Sequence, residues 1–443
     1  MALSEIQYLF TLFWLLASAE PCATFETTCS LPTSSVRYVS SPDARGTLEI
    51  LWSSLFTIFA CTWTIQHPNI PEQRDNRSPR GGDLHWRFGS IYESVTLAIY
   101  TIIAPEIVIL VAIVELTLAR ENSRKLKQEF KQDGVLWTMS HSFFANMGGY
   151  IIRTSRMEDH AYHDPYHLTA DNIYDLRRSG HLKKLPDVTE EELHDRSKSD
   201  SLLKAIALGQ ILWSIMQIIA RGLQKLTISP LELSVLAYAA CSIIIYALYW
   251  KKPKSVQIPS TIAWDQNMIP SVALKILEKS ETTPSLVWQY LVPRNSALRA
   301  RRPVGSPIQN MGLPSLNIYW TVPSVVGFTS AAIFGGIHCV GWNFDFPSRV
   351  ELMTWRCASV YTAVFGLFIS LWFWFFDGFL RIPTRASNNI NNILDLRDWG
   401  VMSMTYLYVA ARLFILVEVF RTLFYLPPDA FTSTWTSSIP HFS

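Results

Sequence analysis

The sequence predicts an all-α protein, a polytopic bundle of transmembrane helices with seven or eight spans. Apolar residues make up 49% of the chain, only 17% of residues are charged, and Trp occurs 16 times. The mean hydropathy is positive. These values favour a membrane protein over a soluble domain. Helices satisfy their own backbone in lipid, and no strand alternation typical of a β-barrel is visible.

Seven apolar segments approach or exceed the ~20 residues that a helix needs to cross a bilayer. They lie at residues 48–66, 91–119, 201–221, 231–250, 318–341, 353–376 and 401–426. Between them run two large basic loops, 120–200 and 251–317, which contain short helices at most. Residues 20–443 therefore form one predicted transmembrane domain.

The first 19 residues form a separate segment. A short apolar stretch ends in Ala17-Ser18-Ala19, which is typical of a signal peptide with a small-residue cleavage site. The usual charged start is missing, so an uncleaved N-terminal anchor is the alternative.

The distribution of Lys and Arg predicts the orientation. The loops 120–200 and 251–317 carry 13 and 9 of these residues, and the tail after residue 427 carries none. By the positive-inside rule both loops are cytoplasmic and the C-terminus is lumenal. A lumenal N-terminus then conflicts with the basic flank after residue 119, unless residues 135–152 form an eighth span. The alternative is a cytoplasmic N-terminus, and glycosylation at Asn76 would show that the first loop is lumenal.

Glu106 is the most informative residue of the chain. It lies inside the apolar run 102–110, where a charged side chain costs a few kcal/mol and usually faces a protein interior or a water-filled cavity. Its neighbour Pro105 frees a backbone carbonyl and opens the helix locally. We expect this carboxyl group to take part in chemistry or transport.

Other polar residues lie within the predicted spans. Glu418 and Arg412 are charges in the last span, and a stripe of side chains shares one face of the 201–221 helix. This stripe consists of Gln210, Trp213, Gln217 and Arg221. Hydrogen bonding between helices is the alternative explanation for all of them. No metal or other cofactor is predicted, since there is no aspartate-rich pair, Gly-rich phosphate loop or nucleophile elbow.

Several stretches resemble one known family. They lie at residues 40–47, 51–64, 67–71, 104–106, 137–150, 197–200, 231–233 and 250–253. Over about the first 260 residues the chain is similar to a large family of fungal polytopic membrane proteins, most of them uncharacterised. The family pattern usually has Gly after the histidine at His141, and this chain has Ser142, which puts a tight backbone approach there in doubt.

This resemblance implies an activity as well as a fold. The family includes the membrane-bound terpene cyclase of ascofuranone-type meroterpenoid pathways, which closes the epoxidised end of a farnesyl chain attached to an aromatic ring. It implies a prenylated aromatic substrate, a farnesyl-phenol epoxide, and a multi-pass location in the endoplasmic reticulum membrane, with no nucleic acid as partner. Such a reaction is metal-independent and needs a general acid in an apolar cavity, where desolvation favours the protonated carboxyl group.

We therefore expect a terpene cyclase with Glu106 as the acid that protonates the epoxide. Glu418 is the second candidate, and His141 and Asp200 follow as further catalytic candidates. The predicted substrate-binding residues are Gln210, Trp213, Gln217, Arg221 and Arg412. Two other functions fit the same polar residues: a transporter or exporter of a hydrophobic metabolite, and a non-catalytic membrane receptor or scaffold.

Overall fold

A computed structural model provides the structure of the chain. It describes residues 38–40, 45–71, 73, 82–134, 136–153, 165–183, 188–197, 201–262, 273, 282–285, 307–314, 321–380 and 387–434. The predicted signal segment 1–19, the sequon at Asn76 and the candidate Asp200 lie outside the described residues.

The described chain is mostly helical, as predicted. Its helices are α1 (Thr47–Thr64), α2 (Gly82–Ile103), α3 (Pro105–Glu129), α4 (Met139–Asn146), α5 (Ala170–Arg178), α6 (Glu190–Arg196), α7 (Ser201–Leu223), α8 (Pro230–Leu248), α9 (Thr321–Val340), α10 (Arg349–Leu380) and α11 (Ser387–Arg421). Its strands are β1 (Tyr150–Ile152), β2 (Tyr166–Leu168), β3 (Ser260–Ile262), β4 (Thr282–Ser285) and β5 (Gly312–Pro314).

Four helices of the described residues are long and apolar enough to cross a membrane. They contain the stretches Ala205–Leu223, Pro230–Leu248, Val325–Asn343 and Arg349–Phe376. The number becomes five if α2 and α3, which meet at a bend of 112°, are taken together as one broken span. Integral membrane character is therefore supported, and the predicted count of seven or eight spans is not confirmed.

The region 135–152 does not form the eighth span considered above, and that alternative is wrong. Within it α4 has only eight residues, and the chain then enters strand β1. An eight-residue helix rises about 12 Å, far less than the roughly 30 Å of a hydrocarbon core.

The basic region after α3 instead forms a small unit with its own apolar core. Strand β1 pairs antiparallel with β2 and parallel with β3, in the order β2-β1-β3. Helices α4 to α6 pack nearby, and the buried core includes Phe130, Trp137 and Tyr150. The Trp137 Nε1–H donates to the Ser142 hydroxyl at 2.7 Å, so Ser142 has a structural partner.

The helical bundle has a separate apolar core. It is built mainly from α1, α3, α8, α9, α10 and α11, and its buried members include Ile109, Tyr238, Phe334 and Trp355. Helix α8 begins with Ser229 as N-cap and Pro230 in its first turn, and the Glu232 carboxylate accepts from the Ser229 amide at 2.9 Å. This capping box satisfies donors that the helix start leaves open.

Close backbone contact between α9 and α10 depends on glycine. A Cβ atom at Gly335 would overlap the backbone of Ala363, whereas one at the adjacent Gly336 would meet nothing within 4 Å. At Gly366 a Cβ would lie 2.8 Å from the Cα of Phe328. Small residues at such crossings let two helices approach closely in a membrane.

Gly335→Ala should therefore destabilise the protein by about 1–3 kcal/mol, because the new methyl group pushes α9 and α10 apart. The matched control Gly336→Ala should be neutral or slightly stabilising, since alanine favours helix and this side is open. Thermal unfolding of both purified variants in detergent measures the difference. Equal stability of the two variants would contradict the close crossing.

Candidate functional site

The candidate site centres on the break between α2 and α3. Pro105 begins α3, and a proline disfavours helical geometry in the residue before it. Ala104 accordingly has φ −148° and ψ 70°. The last carbonyl groups of α2 need partners from elsewhere, because the helix does not continue in line past them. The predicted opening of the helix at Pro105 is confirmed, and it is a full break.

A buried arginine of α11 supplies the missing partners. Arg412 donates through Nε to the Ile103 carbonyl at 2.6 Å and through Nη2 to the Ile102 carbonyl at 3.3 Å. The hydroxyl of Tyr238, on α8, donates to the same Ile102 carbonyl at 2.6 Å. The guanidinium also lies 3.8 Å from the ring centroid of Phe334, on α9, an attractive cation–π arrangement. Arg412 therefore joins the break to α9 and α11.

Glu106 lies directly after the break, as the second residue of α3. Its side chain is buried at 5% exposure, and neither carboxyl oxygen accepts a hydrogen bond from another described residue. Arg412 and Tyr238 lie close enough to interact with it electrostatically. Arg412 donates to backbone carbonyls, and no hydrogen bond joins it to Glu106. An unpaired charge on this buried acid would be costly.

A small cavity adjoins Arg412 and Tyr238. It measures about 20 Å³ and is also lined by Ser234 and His338, which is room for about one water molecule. His338 Nδ1 lies 2.9 Å from the Phe334 carbonyl. A carbonyl can only accept, so Nδ1 donates and Nε2 carries the lone pair in the neutral ring. Ser234 Oγ lies 3.2 Å from this Nε2.

Glu106 and His338 can each take part in proton transfer. Glu106 can carry a proton, Arg412 can stabilise the carboxylate left after its release, and the lone pair of His338 can accept one. The apolar remainder of the cavity wall keeps bulk water away. The arrangement is suited to acid-initiated chemistry on a lipophilic molecule or to proton-coupled movement of one.

The second predicted acid, Glu418, belongs to another cluster. It is buried in α11 and interacts with Glu351 and Arg421, and Arg421 forms an ion pair with Glu351 at 2.7 Å. Among the described residues, no contact connects Glu418 to Glu106. Its predicted role as an acid in the same pocket gains no support from this position.

His141 has a structural environment. Its Nδ1 lies 2.8 Å from the Thr138 hydroxyl and its Nε2 lies 2.7 Å from the Val188 carbonyl. Both ring nitrogens are thus used to hold the start of α4 against the chain before α6. The described contacts do not bring His141 to Glu106, and Asp200 lies outside the described residues.

The predicted stripe on α7 does face inward. Gln210, Trp213 and Arg221 are buried, so the expected orientation is confirmed for these three. Gln217 is half-buried, like its neighbours on the helix. Their role in binding a substrate stays a prediction. Of the predicted substrate-binding residues that the structure describes, only Arg412 has contacts that place it at the Glu106 site.

Arg221 is an anchor for the chain after α11. It is fully buried and donates to the backbone carbonyls of four residues at 2.8–3.0 Å. These residues are Thr227, Asp429, Ala430 and Thr432. A guanidinium has five donors in a fixed fork and suits such a role.

Three residues of the site were missed by reasoning from the sequence: Tyr238, Ser234 and His338. His338 could have been found, since it is the only titratable side chain in the predicted span 318–341 apart from Tyr319 and Cys339. Ser234 and Tyr238 are four residues apart on one helical face, which is a weaker signal.

Arg221→Met should lower the stability of the fold by about 3 kcal/mol or more, because several buried carbonyl groups lose their donor. The control Lys225→Met removes an exposed cation nearby and should change stability by about 0.5 kcal/mol at most. Thermal unfolding, with proteolysis of the C-terminal segment as a second readout, measures both. A stable Arg221→Met variant that is defective only in function would instead favour a substrate-binding role.

The comparisons with known proteins show a family without an assigned function. A family model described as "Family of unknown function (DUF8562)" matches residues 13–283 and 303–442. No curated protein matches the chain, and no solved structure does. Because the family model covers most of its length, the chain belongs to the DUF8562 family of unknown function.

Proposed function

We propose that this protein is a membrane-bound terpene cyclase of the endoplasmic reticulum that closes an epoxidised prenyl chain of a meroterpenoid, with Glu106 as the acid. The observation that carries the proposal is a buried carboxyl group that accepts no hydrogen bond from another described residue, near a buried arginine that itself lines a small cavity. The resemblance of the sequence to the fungal membrane-protein family supplies the substrate class, a prenylated phenol epoxide.

The proposed reaction is an isomerisation. Glu106 gives its proton to the epoxide oxygen, a carbon–oxygen bond of the epoxide breaks, and the electron pair of a nearby alkene forms the new carbon–carbon bond. Arg412 stabilises the Glu106 carboxylate that results. His338 Nε2 then takes a proton from the carbon next to the cation, which forms an alkene. That proton returns to Glu106 before the next turnover, so no atom is gained or lost.

The size of the cavity sets a requirement on substrate entry. At about 20 Å³ it holds no prenyl chain, so the substrate has to displace part of the apolar wall as it enters from the lipid. The side chains of Ile415, Leu416 and Phe420 contribute to this wall from α11. Helix α11 also carries Arg412, so its movement would couple substrate entry to the position of the cation beside Glu106.

Glu106→Gln should reduce cyclisation by about 10²–10⁴-fold, because the amide keeps the shape and cannot donate a proton as an acid. Microsomes from a fungus that expresses the chain are given a prenyl-phenol epoxide, and the isomeric product is measured. The control Glu121→Gln changes an exposed carboxylate of the same helix, paired with Lys125, and should retain activity. Unchanged turnover in Glu106→Gln would remove this residue from the mechanism.

Export of a hydrophobic metabolite is the second candidate, and the broken helix favours it. Transporter sites often use discontinuous helices whose half-helix ends face the substrate, and α3 begins at such a break with Glu106 in its first turn. The microsome experiment separates the two functions, since a transporter releases its substrate unchanged.

We further propose that α2 and α3 form a re-entrant pair, beside crossing helices α1 and α7 to α11. Supporting this course is the ion pair of Glu115 on α3 with Lys252, which follows α8. Both residues line one cavity with Gln66, which follows α1. The ends of α1 and α8 therefore lie on one side, next to the middle of α3. If α2 and α3 enter from this side and return to it, and this side is the cytoplasm, both large basic loops are cytoplasmic. A lumenal N-terminus then no longer conflicts with the basic residues that follow residue 119.

In this orientation Asn76 should carry no glycan, because its loop faces the cytoplasm. The matched variant Trp435→Asn, which creates a sequon with Thr436 and Ser437 in the C-terminal tail, should be glycosylated, since the tail is lumenal. The mass shift on endoglycosidase treatment measures both. Glycosylation at Asn76 would refute the re-entrant course.

A further inference from the structure

A second cavity lies where α1 and α8 end, and Glu106 is not among its lining residues. It measures about 30 Å³ and is larger than the cavity beside Arg412, with room for about two water molecules. Its polar wall includes Glu115, Lys252 and Gln66, and nothing in the proposed reaction uses these residues.

The two charges of this cavity are buried and paired. Lys252 Nζ lies 2.6 Å from Glu115 Oε2, and the two side chains are only 3% and 16% exposed. The ammonium also lies 4.5 Å from the ring centroid of Tyr249, and the Tyr249 hydroxyl contacts Glu115. A buried pair of this kind is weak evidence for stability, since its desolvation costs about as much as the attraction returns.

The pair restricts the chemistry of a ligand. An anionic ligand would compete with Glu115 for Lys252 and leave the carboxylate unpaired. A cationic ligand would compete with Lys252 for Glu115 and leave the ammonium unpaired. Leaving one buried charge without its partner is strongly unfavourable. A neutral hydroxyl group avoids both costs, because it donates to the carboxylate and accepts from the ammonium at once.

The rest of the cavity indicates what carries that hydroxyl. Leu97 of α2, Val108 and Val111 of α3, and Met311 supply an apolar wall. The polar pair lies where apolar helices end, which is the depth at which the hydroxyl of a membrane lipid meets water. A polar head beside this ion pair would therefore continue into an apolar body.

We propose that the Glu115–Lys252 cavity is a second binding site, which takes the hydroxyl group of a lipophilic alcohol or phenol. Two sources share this chemistry: a membrane sterol, and the phenolic end of a prenylated aromatic molecule. The phenol source rests on the proposed function, whereas the sterol source is independent of it.

The test is photo-crosslinking of the purified full-length chain with two diazirine probes, a sterol with a free hydroxyl and a farnesyl-phenol. The unlabelled alcohol or phenol should suppress labelling by competition. Its methyl ether should reach the same suppression only at a concentration at least about tenfold higher, because the ether cannot donate to Glu115. The probe that labels the chain in this hydroxyl-dependent way identifies the source. An ether that competes as well as the free hydroxyl overturns the site.

Variants locate the labelling. Glu115→Gln combined with Lys252→Met removes both charges and should reduce labelling at least about tenfold. The matched control is Glu190→Gln with Lys251→Met, which removes the neighbouring exposed ion pair of 3.7 Å and should label like the original chain. An equal loss of labelling in both double variants would refute the site. If the cavity variant does not fold, the competition of the free hydroxyl compound against its methyl ether, measured on the unmodified chain, tests the proposal.

The two proposals fail separately. Labelling needs no turnover, so Glu106→Gln should be labelled like the original chain. A chain that binds the phenol probe without converting an epoxide refutes the cyclase alone. A chain that converts the epoxide and shows no hydroxyl-dependent labelling refutes the second site alone.

Discussion

The structure around the candidate site depends on one constraint: backbone carbonyls in a membrane interior need hydrogen-bond donors. The break at Ala104 leaves the carbonyls of Ile102 and Ile103 without helical partners in line, and each such group would cost several kcal/mol in hydrocarbon. Arg412 and Tyr238 meet this need. Both groups donate to the backbone, and the adjacent Glu106 stays buried without a hydrogen bond from another described residue.

Two other carboxylates, Glu232 and Glu115, are held in direct ion pairs. Arg45 pairs with Glu232, and Lys252 pairs with Glu115. Each of these carboxylates has a direct cationic partner, so each can stay charged at little net cost. Glu106 differs because its nearby cation bonds to the backbone instead. This difference in hydrogen bonding, and not burial alone, distinguishes a candidate for proton transfer from a structural ion pair.

Part of this arrangement could be predicted from the sequence. The helical class, the helix break at Pro105 and the inward face of α7 follow from local rules on hydropathy, proline and helical period. The role of Arg221 could not be predicted, because three of its four partners are backbone carbonyls about 210 residues away. For the same reason sequence spacing gave no sign that Arg412, on α11, would reach the break between α2 and α3.

The bonds of Arg412 at the break also bear on how the family can vary. They go to main-chain oxygens, which every residue type provides, so the side chains at positions 102 and 103 are free to change without losing them. The geometry that exposes those oxygens comes from Pro105, and the donors come from position 412. Across relatives, loss of the proline should therefore accompany loss of the arginine, since either one alone leaves a buried polar group without its complement.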